Sequence, residues 1–203
     1  MVSVCFYFQV HQPMRLRQYS VFEIGKHNGY FDSHKNESII KKITHKCYLP
    51  ANRLILDLIN RTDGRFKVAY SMTGIVLEQL ERYAPEVIDS FRQLVDTGCV
   101  EILDETYHHT LSYLYSKEEF REQVELHNMK IRQLFNFKPK IFRNTELVYS
   151  NEIANFAEKM GHKGILAEGA DHILGWRSPN FMYRPKGLSK IRLLLKINLG
   201  KKI

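Results

Sequence analysis

In the stretch KPKIFRNTELVYSNEI (residues 138–153) one carboxylate, Glu146, stands between Thr145 and Leu147, just past a short apolar run and before an amphipathic segment. With Lys140–Arg143 as a buried strand and Ser150 as the cap of the next helix, Glu146 falls in the loop at the strand's C-terminal end. In an α/β barrel that is where catalytic groups sit. The competing reading is a solvated loop glutamate, because charged side chains are mostly exposed. Other apolar runs end in the same way: His11-Gln12-Pro13, Ser71-Met72-Thr73-Gly74, the segment from Glu101 through Asp104 and Glu105 to His108 and His109, and Glu168-Gly169-Ala170-Asp171-His172. Five polar endings in succession are the pattern that the active face of a barrel produces. No metal is expected there. His108 and His109 are adjacent, so in an extended segment they point to opposite sides, and the three cysteines form no CxxC pair.

The elements that would hold these residues alternate in type. Ser3–His11 is almost continuously apolar, as a strand covered on both faces must be. Phe66–Tyr70, Cys99–Leu103, Lys140–Arg143 and Gly164–Ala167 are shorter runs of the same kind. Candidate helices follow. Pro50–Arg61 and Pro85–Val95 each carry one apolar face and end near Gly64 and Gly98; Ser116–Phe135 opens with a Ser-x-x-Glu box; Ser150–Met160 stops at Gly161. Such alternation predicts right-handed βαβ units and a parallel sheet. Residues 12–49 form a connection far longer than usual, carrying Tyr19, Phe22, His27, Tyr30, Phe31, Asp32 and His34, with a helix expected around Ser38–Cys47. Aromatic residues with polar tips suit sugar faces; an insertion packed over the barrel mouth would explain them as well.

Composition bounds the partners. The net charge is +8, yet all 22 acidic and 22 of the 30 basic residues precede position 172, so the body is neutral and the last 32 residues alone are basic. That distribution argues against a nucleic-acid groove. No apolar run approaches the length of a membrane span, and the N-terminus lacks the basic start of a signal peptide. Cys5, Cys47 and Cys99, two of them within apolar runs, read as reduced core or near-core thiols of a cytoplasmic protein.

Taken in order, His11-Gln12-Pro13 after an apolar strand, Gly98–Ile102 leading into Glu105-Thr-Tyr-His-His109, Phe142-Arg-Asn-Thr-Glu-Leu147 and Ala167–Asn180 resemble successive regions of glycoside hydrolase family 57, the α-amylase-type retaining glycosidases. The resemblance spans residues 1 to about 195 and leaves 196–203 as a basic, non-matching tail. It implies an α/β fold, a (β/α)7-type irregular TIM-like barrel of which about five strand–helix units are present. It implies an α-glucan or oligosaccharide substrate and no cofactor. By the same resemblance Glu146 is the catalytic nucleophile, and His11 lies close by to hold the sugar or orient the carboxylate. Glu101, Glu105 and His109 line the subsite around the cleaved bond, and Trp176 is a stacking platform, unless it packs beside Pro179. Retaining hydrolysis needs a carboxylate to attack the anomeric carbon and a second acid about 5–5.5 Å away. Donors such as His11 and Arg143 would keep the nucleophile ionised.

The sequence departs from the family where the second acid is due. That group is an aspartate on a later strand, whereas residues 172–203 contain neither Asp nor Glu. Asp171 and Asp104 remain as rim aspartates, in no matching motif. The expectation is therefore an interrupted barrel, weakly active or inactive. Two alternatives stay open: a metal-dependent polysaccharide deacetylase, although its Asp-Asp pair and His-x-x-x-His are absent from the sequence, and a non-catalytic glucan-binding remnant.

Overall fold

Six parallel strands follow one another in chain order in the computed structural model, which describes residues 4–26, 29–187 and 190–197. Strands β1 (Phe6–Val10), β2 (Val68–Met72) and β3 (Val100–Leu103) form one sheet. Strands β4 (Ile141–Arg143), β5 (Gly164–Glu168) and β6 (Arg192–Lys196) form another. A parallel bridge between Asp104 and Phe142 joins the two, with Asp104 N–H donating to Ile141 O and Arg143 N–H to Asp104 O. The sheet curls strongly enough for Arg143 on β4 to reach Gln9 on β1, three strands away, at 3.2 Å.

Side-chain alternation then separates two environments. Tyr70, Ile102, Phe142 and Ile165 face outward under a helical layer, where Tyr70 meets Phe91 edge-on and Phe142 packs on Phe120. Gln9, Ser71, Glu105 and Arg143 face inward and contact one another. Neighbours in sequence are thereby divided: Asp104 points into the helical layer and Glu105 into the interior.

The helices are α1 (Ser33–Ile43), α2 (Leu49–Arg61), α3 (Gly74–Tyr83), α4 (Pro85–Asp96), α5 (Lys117–Phe135), α6 (Asn151–Lys159) and the short α7 (Asp171–Leu174). Among the described residues none is long and apolar enough to cross a membrane. The apolar faces of α1–α5 close over β1–β3 in one cluster; Phe120 and Val124 of α5 and Ile153, Ala154 and Ala157 of α6 close over β4–β6 in a second. Ser116 caps α5 by accepting from Glu119 N–H, and Ser150 caps α6 by accepting from Ile153 N–H.

Four expectations are corrected. The helix expected over Ser38–Cys47 starts earlier, at Ser33, and runs through one π turn (Thr44–Tyr48) directly into α2. Pro50 has no N–H to give and its ring crowds the carbonyl one turn back, so the ladder widens there rather than breaking. Helix α3 was not anticipated, because it opens on a glycine right after a strand and is buried on much of its surface. Gly74 is required at that point: a Cβ there would fall inside the ring of Tyr107. RPKGLSKIRLLLK (184–196) reads in the sequence as the approach to a further helix, yet residues 192–196 form β6 against β5, since a short leucine run suits a strand equally well. Cys5 and Cys47 are exposed and only Cys99 is buried. Ser3, His27 and residues 198–203 lie outside the described residues.

Candidate active site

Glu146 lies in a 3-10 turn (Thr145–Leu147) immediately after β4, as the strand-end reading placed it. Its backbone is left-handed (φ 52°), as are those of Leu147 (φ 56°) and His109 (φ 58°). A non-glycine residue in that region costs about 1–3 kcal/mol and persists only where the surroundings enforce it. Here they do: Leu147 N–H donates to Asn144 O, Val148 N–H to Thr145 O, and the Thr145 hydroxyl meets that of Thr106 at 3.0 Å. The turn aims an exposed carboxylate across the strand ends.

His109 supplies its partner. Nε2 donates to Glu146 at 3.1 Å, and Nδ1 faces Glu105 at 3.5 Å. With a carboxylate at each nitrogen the ring favours the protonated form. Its pKa is raised chiefly by Glu105, with burial opposing and Glu146 adding to the rise. The longer contact has the larger effect because Glu105 is fully buried, whereas Glu146 stands in water. Glu105 is itself anchored by the Ser71 hydroxyl at 2.5 Å and the Arg143 guanidinium at 3.5 Å. Arg143 is buried, and its Nε and Nη1 have no hydrogen-bond partner.

His11 stacks on His109 with ring centroids 4.4 Å apart and is hydrogen-bonded through Nδ1 to Thr73 Oγ1 at 2.9 Å. Burial first, and then the adjacent His109, push its pKa down, so a neutral ring lies against a charged one. His11, Glu105, His109 and Glu146, from the ends of β1, β3 and β4, thus form one cluster. Arg143 acts on Glu105 rather than on Glu146, and the donor to Glu146 is His109, not His11.

Glu101 does not join them. It shares the inward face with Glu105 but sits at the other end of β3, where its carboxylate accepts from Lys140 N–H at 3.0 Å and burial raises its pKa. Trp176, just past α7, is 93% exposed, which removes the packing reading.

Asp104 is no free rim acid either. It is fully buried and accepts from His127 Nδ1 at 2.7 Å, from His162 Nε2 at 2.8 Å and from Asn128. Burial works hardest against its ionisation, yet the two imidazoles outweigh burial and hold it below the usual aspartate range. His127 also donates through Nε2 to Met72 O, so both its nitrogens face acceptors. Burial, the largest single influence, is overcome and its pKa is raised. This hub escaped the sequence reading, since helix spacing around His127 carries no hint of a carboxylate 23 positions upstream. Among the described residues no group of three or more His, Cys, Asp or Glu is arranged to hold a metal ion.

Comparison with known proteins bears on this cluster. The family model described as Glycosyl hydrolase family 57 matches residues 5–198. A protein from Methanocaldococcus jannaschii named "Putative alpha-amylase" is 45% identical over 196 residues, 94% of this chain and 41% of that protein. An alpha-amylase from Pyrococcus horikoshii is 26% identical over 151 residues, 72% of this chain and 22% of that protein. The chain therefore spans less than half the length of either relative. The crystal structure of a 4-alpha-glucanotransferase from Thermococcus litoralis superposes with a TM-score of 0.70 at 19% identity, over 94% of this chain and 27% of that one, a likeness of fold.

Proposed function

The chain belongs to glycosyl hydrolase family 57, and we propose that it carries the nucleophile half of a retaining, α-amylase-type active site acting on α-glucans. In this reading the Glu146 carboxylate attacks the anomeric carbon and forms a covalent glycosyl ester. His109 holds that carboxylate toward the substrate, Glu105 keeps His109 charged, and His11 flanks the sugar. The observation that carries the proposal is the Glu146–His109–Glu105 chain, an exposed carboxylate on an enforced left-handed turn backed by a buried one. Six parallel strands curling until β4 meets β1 support a (β/α)7-type barrel, of which these residues are a part.

The second acid is absent from the cluster in this reading. Asp104 has no free oxygen lone pair directed at solvent, Glu105 is fully buried, and Asp171 opens α7 after β5 in no matching motif. The chain alone is then able to open a bond whose leaving group needs no proton, and unable to cleave a glucan. An α-maltosyl fluoride separates the two cases. The chain should release fluoride from it, Glu146→Gln should not, and neither should liberate reducing sugar from soluble starch. An active Glu146→Gln variant would remove the nucleophile assignment. Starch cleavage by the unaltered chain would mean that Asp171 or another group supplies the proton.

A further inference from the structure

A cavity of about 250 Å³ lies between the long β1–α1 connection and α3. The connection folds back on itself there. Arg17 N–H donates to Tyr30 O, Asp32 N–H donates to Arg15 O, and Leu16 bridges Phe31; Tyr30 and Phe31 both line the cavity. Both rings are partly exposed, at 37% and 49%. The opposite wall is one side of α3, where Glu78 and Arg82, and Gln79 and Tyr83, are one turn apart.

The wall carries an unmet hydrogen bond. Gln79 is buried; its Nε2 donates to Gln12 O at 2.7 Å, while its Oε1 has no partner. A buried acceptor left bare is unfavourable, so this wall gains if the Gln79 amide turns its oxygen toward a hydroxyl in the cavity. Arg82 lies over the Tyr83 ring at 5.1 Å, and Glu78 spends one oxygen on the Tyr107 hydroxyl at 2.5 Å. A carboxylate and a guanidinium on the same wall leave the cavity without a dominant sign, which disfavours an anion or a cation. Aromatic faces with both donors and acceptors at the edge match a neutral ring bearing C–H faces and a rim of hydroxyls, as a pyranose does.

The cavity is tied to the active cluster through two residues. Tyr107 lies between Glu105 and His109, and Gln12 follows His11. We propose that this cavity is a second carbohydrate site that holds one hexose unit of a glucan chain away from the reacting bond. That the chain is an α-glucan rests on the proposed function; that the occupant is a sugar rests on the cavity.

Calorimetric titration with maltotriose, and separately with cellotriose, tests both parts on the full chain and on Tyr30→Ala and Arg82→Ala. Tyr30 and Arg82 are exposed, so the variants should melt where the parent does. The expected result is that maltotriose binds and that affinity falls at least tenfold in Tyr30→Ala and in Arg82→Ala. Cellotriose bound in place of maltotriose, with the same dependence on Tyr30 and Arg82, would uphold the cavity and remove the α-glucan reading. Sugar binding unaffected by both cavity variants, or no binding of either trisaccharide, would overturn the proposal.

Discussion

His109 is the residue on which the cluster turns, because it touches both the exposed and the buried carboxylate. A hydrogen bond to a charged group contributes about 1.5–3 kcal/mol, roughly ten- to a hundredfold in rate if it is made where the reaction occurs. His109→Ala should accordingly slow fluoride release from α-maltosyl fluoride by that factor. The pH profile gives the sign. The folded pKa of His109 lies above its ordinary 6.5, so its charge is complete below that value and is lost as pH rises through the raised one. Activity should fall on the alkaline side, and Glu105→Gln should move that limb to lower pH by removing the carboxylate that raises it. An alkaline limb unchanged in both variants would show that His109 does not govern Glu146. At this scale the structure brings Glu146, Glu105, His109 and His11 together at strand ends that the sequence shows as apolar runs meeting polar residues. Sequence alone misplaced Glu101: four residues at roughly 3.3 Å each put it some 13 Å down the same face, at the wrong end of the strand.

At the scale of elements, the Asp104 hub fastens β3 to α5 and to the turn after α6. Removing one partner of a buried ion pair strands the other, at a cost of about 3–5 kcal/mol. Asp104→Ala should lower stability to chemical denaturation by that amount. The pH dependence has two limbs. The depressed pKa of Asp104 adds stability that is present above its ordinary 3.8 and lost as pH falls through the lowered value. The raised pKa of His127 adds stability that is present below 6.5 and lost as pH rises through the raised value. The hub's contribution should therefore be greatest between those ordinary values and decline on both sides, and Asp104→Ala should flatten the profile. A parent profile as flat as the variant's would contradict this. Of the elements, the five strands and the capped α5 and α6 were legible because period and caps agree. Helix α3 was not, since burial along much of its length erases the periodicity that marks a helix, and strand β6 was not, because a short leucine run fits helix or strand.

Across the whole molecule, the outward face of β1 is left open. Val4, Phe6 and Phe8 are 72%, 52% and 45% exposed, and among the described residues β1 pairs with β2 alone. An unpaired edge beside exposed aromatics is a template for association. Sedimentation velocity of the chain should show concentration-dependent association that Phe6→Lys with Phe8→Lys suppresses; a monomer at all concentrations in the parent would refute this. The parallel α/β architecture was readable from the alternation of runs. The open face was not, because continuous apolarity in Ser3–His11 says that a strand wants cover on both faces and does not say whether the cover is there.

The nucleophile assignment is tested most directly by trapping. In 5-fluoro-α-D-glucopyranosyl fluoride the anomeric fluoride leaves with its electron pair as the attacking carboxylate bonds to C1, so no proton donor is needed, and the ring fluorine slows release of the ester. Mass spectrometry of the digested protein should find the fluoroglucosyl adduct on the peptide that contains Glu146, and no adduct in Glu146→Gln. An adduct on Glu105, Asp171 or any other carboxylate, with Glu146 unmodified, would contradict the account.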